Sequence, residues 1–559
     1  MRSIIKRFVE RFGKERLILG ALVIFIAIQL PYKLSAFPPF WWDEGNVVLN
    51  PQKCVELGGC DCLLGAGSVG VPALAPIALS FRLLGIGVRQ ARLPGVLFTV
   101  GALTALWLLA RRLYDRSMAT VTVTVTLLLS TVPHLHPIVM GRQAMGDMPA
   151  LFFLLIGLLF LQRAWHRPSW FLPLAVVFWS LAMQTKRHIF PFLAAALLLP
   201  MALMLWKRRF REAWILGSGL LGTIATTLAF AWIWPWCLGG TVPSYGPVRI
   251  AFGAIGALVR VCAIGLGHGV PSSGSAGNVV ASMASSESLS NVFQPNLHAR
   301  AEALLSTLLA GIPTVLGLGY AGRQLARDVQ RVKVSEAPFL GQLVLWTLTA
   351  AWFAWYLLLS IGWARYLLPI AFLGSVFIAA LLHHLTDGFS APPWRQWAVA
   401  RRKRFFSLSK MGTLVSLVIL PAALLLTVYY VYIGWMSAGD DTPLLETVRF
   451  LNTHTASDAL IEVDDRELLF LLKRAHHHPG EEVHKQLYRR VFLKEDVTID
   501  YDPLAEDPDY LVVGLQLRLW GLYDSVLETE AFRLVYENEP YRVYERVREG
   551  DARSQPGGD

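Results

Sequence analysis

The sequence predicts a polytopic α-helical membrane protein, with about eleven transmembrane helices and a small α/β domain at its C-terminal end. Three observations carry this. Of 559 residues, 54% are apolar and only 16% charged, with 19 tryptophans and a mean hydropathy of +0.46. That balance belongs to a membrane chain, not to a soluble globule. Apolar runs long enough to cross hydrocarbon recur along most of the length. Basic clusters such as Lys207–Arg211 and Arg401–Arg404 punctuate them, so the net charge of +11 reads as topology and not as a nucleic-acid surface.

Taken in order, the apolar runs lie near Leu17–Leu30, Leu93–Leu109, Met118–Val132, Met148–Leu161, Trp170–Ala182 and Ile189–Trp206. Five more lie near Trp214–Trp236, Ala301–Tyr320, Phe339–Leu359, Leu367–Leu385 and Leu414–Tyr432. Charge sets the orientation. With the N-terminus cytoplasmic, Arg111/Arg112, Arg163/Arg167, Lys207–Arg211, Arg323–Lys333 and Arg395–Lys410 all fall inside. Eleven crossings keep these clusters together, and the C-terminal domain then lies outside, at the plasma (inner) membrane. The first run follows a basic stretch but continues into LPYKLSAFPPFWW without a small-residue cleavage site, so it reads as a retained helix.

Residues 1–435 thus form the membrane domain, with outer loops at 36–92 and 237–300. Val69–Val88 and Val248–Gly267 are apolar but interrupted by arginine, and read as helices lying along the outer surface. The Gly/Ser/Asn-rich stretch Gly265–Asn296 has little to bury and reads as mobile. Residues 436–559 read as a soluble α/β domain with a disordered tail. ALIEV and YLVVG are strand-like, ELLFLLKR is helical, and FRLVYENEPYRVYER is a hairpin turning at Asn538-Glu539-Pro540. The triple histidine His476–His478 reads as solvated surface.

All five cysteines (Cys54, Cys60, Cys62, Cys237 and Cys262) fall in outer loops, where disulfides form. Cys237 with Cys262, and Cys54 with Cys60 or Cys62, are the plausible pairs, and the odd count leaves one thiol over. Zinc on Cys60-Asp61-Cys62 lacks a second Cys/His pair at ligand spacing, so a divalent metal stays open without being indicated, and no other cofactor is implied.

The ionisable residues at the outer ends of the apolar runs carry the functional reading. Charge at the mouth of a membrane segment is expensive unless it faces protein or water, so it marks a site by default. Asp43 and Glu44 follow Trp41 and Trp42 beyond the first helix; Arg142 and Asp147 stand at the head of the fourth. Lys186 and Arg187 end the fifth, and Arg365 begins the tenth. The carboxylates Asp43, Glu44 and Asp147 suit proton transfer. The cations Arg142, Lys186, Arg187 and Arg365 suit a phosphate, arginine by paired hydrogen bonds and lysine as a point charge. Blander roles stand beside these: Lys186 and Arg187 snorkelling to headgroups, Arg142 pairing with Asp147. Nucleotide chemistry is excluded by pattern. GLGYAG (Gly317–Gly322) closes a helix instead of joining a strand to one, and there is no phosphate-binding P-loop and no G-x-S-x-G elbow. An activated substrate must therefore arrive through the membrane as a lipid-linked donor.

WWDEG, ARLPGVLFTVGALTALWLLARRLYDR, GRQAMGDMPALFF, LAMQTKRHIFPFLAAALLLP and WARYLLPIAFLG, in that order and followed by an outer domain, resemble the GT-C membrane glycosyltransferases. The likeness is greatest to the dolichyl-phosphate-mannose protein mannosyltransferases and the lipid A aminoarabinose transferases. The resemblance implies inverting transfer of a hexosyl or pentosyl group from a polyprenyl-phosphate sugar to a hydroxyl on a protein, glycolipid or glycan. It makes Asp43 the acidic residue after the first helix, Arg142 and Asp147 the arginine–aspartate element, and Arg365 the arginine of R-Y-L-x-P. The loop CVELGGCDC and the histidines His134 and His136 depart from the pattern and leave the acceptor open. A transporter or flippase of a lipid-linked sugar would need the same cations, but no internal repeat is visible and the ionisable groups gather at one surface.

A phosphatase reporter fused after Asp440 is expected to be active, and one fused near Arg404 silent. The reverse pattern would put the acidic loops in the cytoplasm and remove the lipid-donor reading.

Overall fold

The computed structural model describes residues 14–65, 69–129, 135–240, 307–330, 337–359, 364–386, 420–429, 442–492, 496–529 and 531–548, with positions 304, 388, 389 and 439. The expectations for Val248–Gly267, Gly265–Asn296, Cys262, His134, the Arg395–Lys410 cluster and the terminal tail lie outside the described residues.

Helix α1 (Lys14–Gln29) leads into α2 (Trp42–Glu56) and α3 (Val71–Leu84). The long α4 (Val88–Leu113), α5 (Arg116–Leu128) and the short α6 (Pro137–Gly141) follow. Next come α7 (Asp147–Ala164), α8 (Pro168–Thr185), α9 (Phe190–Trp206) and α10 (Phe210–Leu238). Further along the chain lie α11 (Ile312–Gln330), α12 (Ala337–Leu359), α13 (Leu368–Leu385) and α14 (Leu420–Thr427).

Helix underlies some part of all eleven apolar runs, but only six helices among the described residues are long and apolar enough to cross a membrane. These are 88–113, 147–164, 187–206, 210–238, 338–358 and 365–385. The count of eleven is not reached by that measure, for local reasons. α1 and α5 are short, and α11 turns polar after Gly322, in RQLARDVQ. The spans 147–164 and 365–385 are each 78% buried, whereas 210–238 is 33% buried, so α7 and α13 run through the middle of the bundle and α10 along its side.

The alternation TVTVTVT in α5 reads locally like a strand, yet it is helical. Thr120, Thr122, Thr124 and Thr126 each donate to the carbonyl four residues earlier, at 2.8–3.1 Å. That satisfies the hydroxyls without water. Thr126 also meets Ser375 of α13 at 2.7 Å. The GLGYAG segment lies inside α11, and its Gly317 has a packing reason. A Cβ there would stand 2.8 Å from the Ile378 amide of α13, so only glycine lets the two helices approach.

The C-terminal domain is a five-stranded sheet ordered β2-β1-β3-β5-β4. After α15 (Pro443–His454), capped by the Thr442 hydroxyl, come β1 (Leu460–Val463), the one-turn α16 (Arg466–Leu469), β2 (Ala475–His477) and α17 (Glu481–Phe492). β3 (Tyr510–Val513), α18 (Leu515–Trp520) and α19 (Asp524–Leu527) precede the hairpin β4 (Phe532–Asn538) and β5 (Tyr541–Arg546). β1 is parallel to β2 and β3, while β5 is antiparallel to β3 and β4. The hairpin turns where the sequence places it.

Two expectations are corrected here. ELLFLLKR is helical only over Arg466–Leu469, because Phe470 leaves the helix to stack between Phe40 and Phe81, with ring centroids 5.6 Å from each. His476–His478 is not simply solvated surface. The parallel register sets His477 opposite Glu462, and its Nδ1 lies 2.6 Å from that buried carboxylate.

The β1–α16 corner is acidic and dry: Asp464, Asp465 and Glu467 are 0%, 2% and 7% exposed. Tyr541 donates to Glu467 Oε1, while Oε2 has no partner among the described residues. Burial pushes the Glu467 carboxyl up to about 7, and Asp465 is raised by burial and by its acidic neighbours. A raised folded-state value favours the protonated form, so this contribution is complete below the ordinary glutamate value of 4.5 and is lost as pH rises through about 7. Glu467→Gln is expected to flatten that dependence, with the variant more stable than the parent at pH 8 by about 1–3 kcal/mol. Hydrogen exchange of the β5 amides in purified protein at pH 5 and pH 8 checks this; equal protection in parent and variant at both would refute it.

Candidate active site

The expected site residues sit at helix ends. Asp43 and Glu44 lie in the first turn of α2. Asp147 is the first residue of α7, where the helix N-terminus favours negative charge. Lys186 ends α8 in extended conformation. Arg365 lies in the 3₁₀ turn Ala364–Leu367, just before α13.

Chain positions far apart close into one network. Arg365 donates Nη1 to Asp43 Oδ2 at 2.8 Å, and Nη2 and Nε to Asp147 Oδ2 at 2.8 and 3.1 Å. Lys186 Nζ reaches the other oxygen of Asp147 at 2.7 Å. The side chains of Lys186, Asp147 and Arg365 are 6%, 8% and 10% exposed, while that of Asp43 is 34% exposed. Asp43 is thus the member open to an incoming molecule. Trp41 lies beneath the Arg365 guanidinium, at 5.9 Å from its ring centroid. Two carboxylates and two cations leave the group electrically neutral.

Glu44 plays a different part. It is fully buried and grips Arg92 of α4 with both oxygens, at 2.6 and 3.0 Å, while its Oε2 also accepts the Ala144 amide at 2.8 Å. Arg92, itself 0% exposed, donates Nη1 to the Leu34 carbonyl at 3.0 Å. Burial pushes the Glu44 carboxyl up against the pull of the guanidinium. One bidentate pair thereby ties the start of α2, the α1–α2 connection, α4 and the GRQAMGD loop together. Removing one partner of such a pair strands the other and typically costs about 3–5 kcal/mol.

Arg142 stands apart from Asp147, five residues on. Its buried guanidinium donates to the backbone carbonyls of Gln29 and Phe37, at 2.8 and 2.9 Å, and of Tyr32. It therefore braces the end of α1, and among the described residues it forms no ion pair with Asp147, whose charge is met by Lys186 and Arg365 instead. Arg187 is exposed and makes no ion pair among the described residues. His136 caps α6 through its Nδ1. Of the cysteines, Cys54 and Cys60 form a disulfide, with Cys62 and Cys237 free.

Arg92 is the residue that sequence reasoning missed. It belongs to ARLPG, where an arginine near the start of an apolar run passes for an interfacial charge. The available signal was Glu44, an acid needing a cation that its neighbours in sequence do not supply.

The comparisons with known proteins fall on the group the sequence resembles. A model of the dolichyl-phosphate-mannose-protein mannosyltransferase family matches residues 72–234, a stretch containing Arg92, Arg142, Asp147 and Lys186. The fold is that of the GT-C membrane glycosyltransferases. ArnT from Cupriavidus metallidurans, bound to undecaprenyl phosphate, superposes with a TM-score of 0.57 at 14% identity, over 95% of this chain and 98% of its own. The oligosaccharyltransferase of Archaeoglobus fulgidus, in the apo form, gives 0.55 at 12% identity, over 96% of this chain and 75% of its own. The archaeal oligosaccharyltransferase AglB from the same organism, in complex with an inhibitory peptide and a dolichol-phosphate, gives 0.50 at 12% identity, over 96% and 74%. No curated protein sequence matches the chain.

Proposed function

We propose that the protein is a membrane glycosyltransferase that moves a sugar from a polyprenyl-phosphate donor to an acceptor hydroxyl, with inversion, on the outer face of the membrane. The observation that carries this reading is the buried Asp43–Arg365–Asp147–Lys186 network at the ends of bundle helices, with one carboxylate exposed. Its placement at helix ends favours chemistry at the surface over passage through the midplane. Undecaprenyl phosphate and dolichol-phosphate in structures of the same fold support a lipid phosphate as the donor's anchor.

Arg365 binds the donor phosphate, with Lys186, held on the other oxygen of Asp147, and the exposed Arg187 adding positive charge. Because the network is neutral, phosphate must compete with a carboxylate for Arg365. Asp43 is the one that gives way, since among the described residues it is held by a single hydrogen bond while Asp147 has three. Donor binding thus frees Asp43 as it fills the site. The freed carboxylate takes the proton of the acceptor hydroxyl as its oxygen bonds to the anomeric carbon. The bond from that carbon to the phosphate oxygen breaks, and its electron pair leaves on the lipid phosphate. Preorganised cations in a water-poor pocket stabilise that developing charge. Asp147 holds Arg365 and Lys186 in place. Glu44 and Arg142 act through the backbone they brace. No part of the scheme calls for a cofactor.

Asp43→Asn keeps shape but cannot accept the proton. Turnover is expected to fall about a hundred- to ten-thousand-fold. Donor affinity should hold or tighten, because a competitor for Arg365 has lost its charge. Arg365→Ala should weaken donor binding and turnover together. Purified enzyme with a synthetic polyprenyl-phosphate sugar checks both: near-normal turnover in Asp43→Asn would remove the base, and unchanged donor affinity in Arg365→Ala would remove the phosphate ligand.

A further inference from the structure

The C-terminal domain touches the bundle directly behind Asp43. Trp42 donates its indole N–H to the Asp464 carbonyl at 3.2 Å. The Asp464 carboxylate is itself fixed by His484 at 2.7 Å and Arg466 at 3.2 Å. Two residues beyond Asp43, Gly45 lies flat against α16. A Cβ built there would stand 2.4 Å from the Arg466 carbonyl carbon and 2.4 Å from the Glu467 amide. On the N-terminal side, Phe40 stacks on Phe470, which is 1% exposed and stacks in turn on Phe81 of α3. Asp43 therefore lies between contacts made by one seven-residue corner, Asp464–Phe470.

From this juxtaposition we infer that the β1–α16 corner of the C-terminal domain is a positioning part of the active site, which is incomplete without it. Glu44 and Arg92 tie the start of α2 to α4 of the bundle, and the corner ties it to the C-terminal domain. Phe470 and Asp464 are positioning residues: they touch neither donor nor acceptor, and they set where the Asp43 carboxylate stands relative to Arg365. The inference rests on the reading of Asp43 as the base. A displacement of about 1 Å at a reacting group costs up to about a hundredfold in rate.

Gly45→Ala is the sharpest test, because alanine is the better helix former and yet cannot fit against the α16 backbone. In full-length purified enzyme, kcat is expected to fall about ten- to a hundredfold, with affinity for the polyprenyl-phosphate sugar within twofold of the parent. Phe470→Ala should show the same split, and Phe470→Leu, which keeps an apolar wedge, should recover most of the rate. Thermal unfolding of each variant, measured in parallel, confines the comparison to folded protein. Parent-like kcat in both Gly45→Ala and Phe470→Ala, with Asp43→Asn inactive, would overturn the positioning role and leave the base intact. An equal loss of kcat and of donor affinity would overturn it too, as a general collapse of the site. An active Asp43→Asn enzyme would instead remove the reading beneath it.

Discussion

Arg365 is the hinge on which the arrangement depends. Among the described residues its guanidinium is the group that hydrogen-bonds to both carboxylates of the network, and it meets them across 322 and 218 positions of sequence. Asp43 follows the first helix, Asp147 opens the central α7 and Arg365 precedes the central α13. The ends of α7 and α13 cannot move relative to one another without breaking a charge-assisted contact in a nearly dry setting, where the desolvation of each ion is offset only by its partner. Well-packed apolar side chains would often serve stability as well. Retaining four ions there is therefore best understood as a requirement of the chemistry proposed for them.

Around this centre the molecule uses buried arginines for two purposes. Arg365 faces the opening and pairs with acids. Arg92 and Arg142 face inward and hold carbonyls, with Glu44 as Arg92's counter-ion. Arginine suits the second task because its planar fork presents several donors in fixed directions and stays charged when buried. The irregular chain from Leu30 to Trp41 is thereby supplied with donors from α4 and the α6–α7 loop, in place of the water that a loop near a membrane would otherwise need.

Much of this was legible in the sequence. Charges at the ends of apolar runs are conspicuous because the bilayer makes them costly, which is why Asp43, Asp147, Lys186 and Arg365 stood out before their meeting was visible. The strands ALIEV and YLVVG and the 538–540 turn were legible from local pattern alone. What stayed hidden was partnership. Nothing local separates Arg142, which braces a loop, from Arg365, which joins the network; both are arginines at a helix mouth. Nor does ELLFLLKR announce that its phenylalanine belongs to an interface. The parallel register that sets His477 on Glu462 joins residues whose strands are linked by a turn of helix, so no periodicity reports it.

The neutrality of the network has a consequence for the end of the proposed catalytic cycle. A sugar-linked lipid phosphate is a diester with one negative charge, whereas the freed lipid phosphate is a monoester with up to two near neutral pH. The cations that draw charge onto the departing oxygen therefore hold the spent carrier more firmly than they held the donor. Once Asp43 has passed the acceptor's proton to water and is a carboxylate again, it can swing back to Arg365 and take the position the carrier occupied. An intramolecular carboxylate that competes for the cation at high local concentration is a built-in means of ejecting product, and it makes exit of the lipid, rather than sugar transfer, the natural slow step.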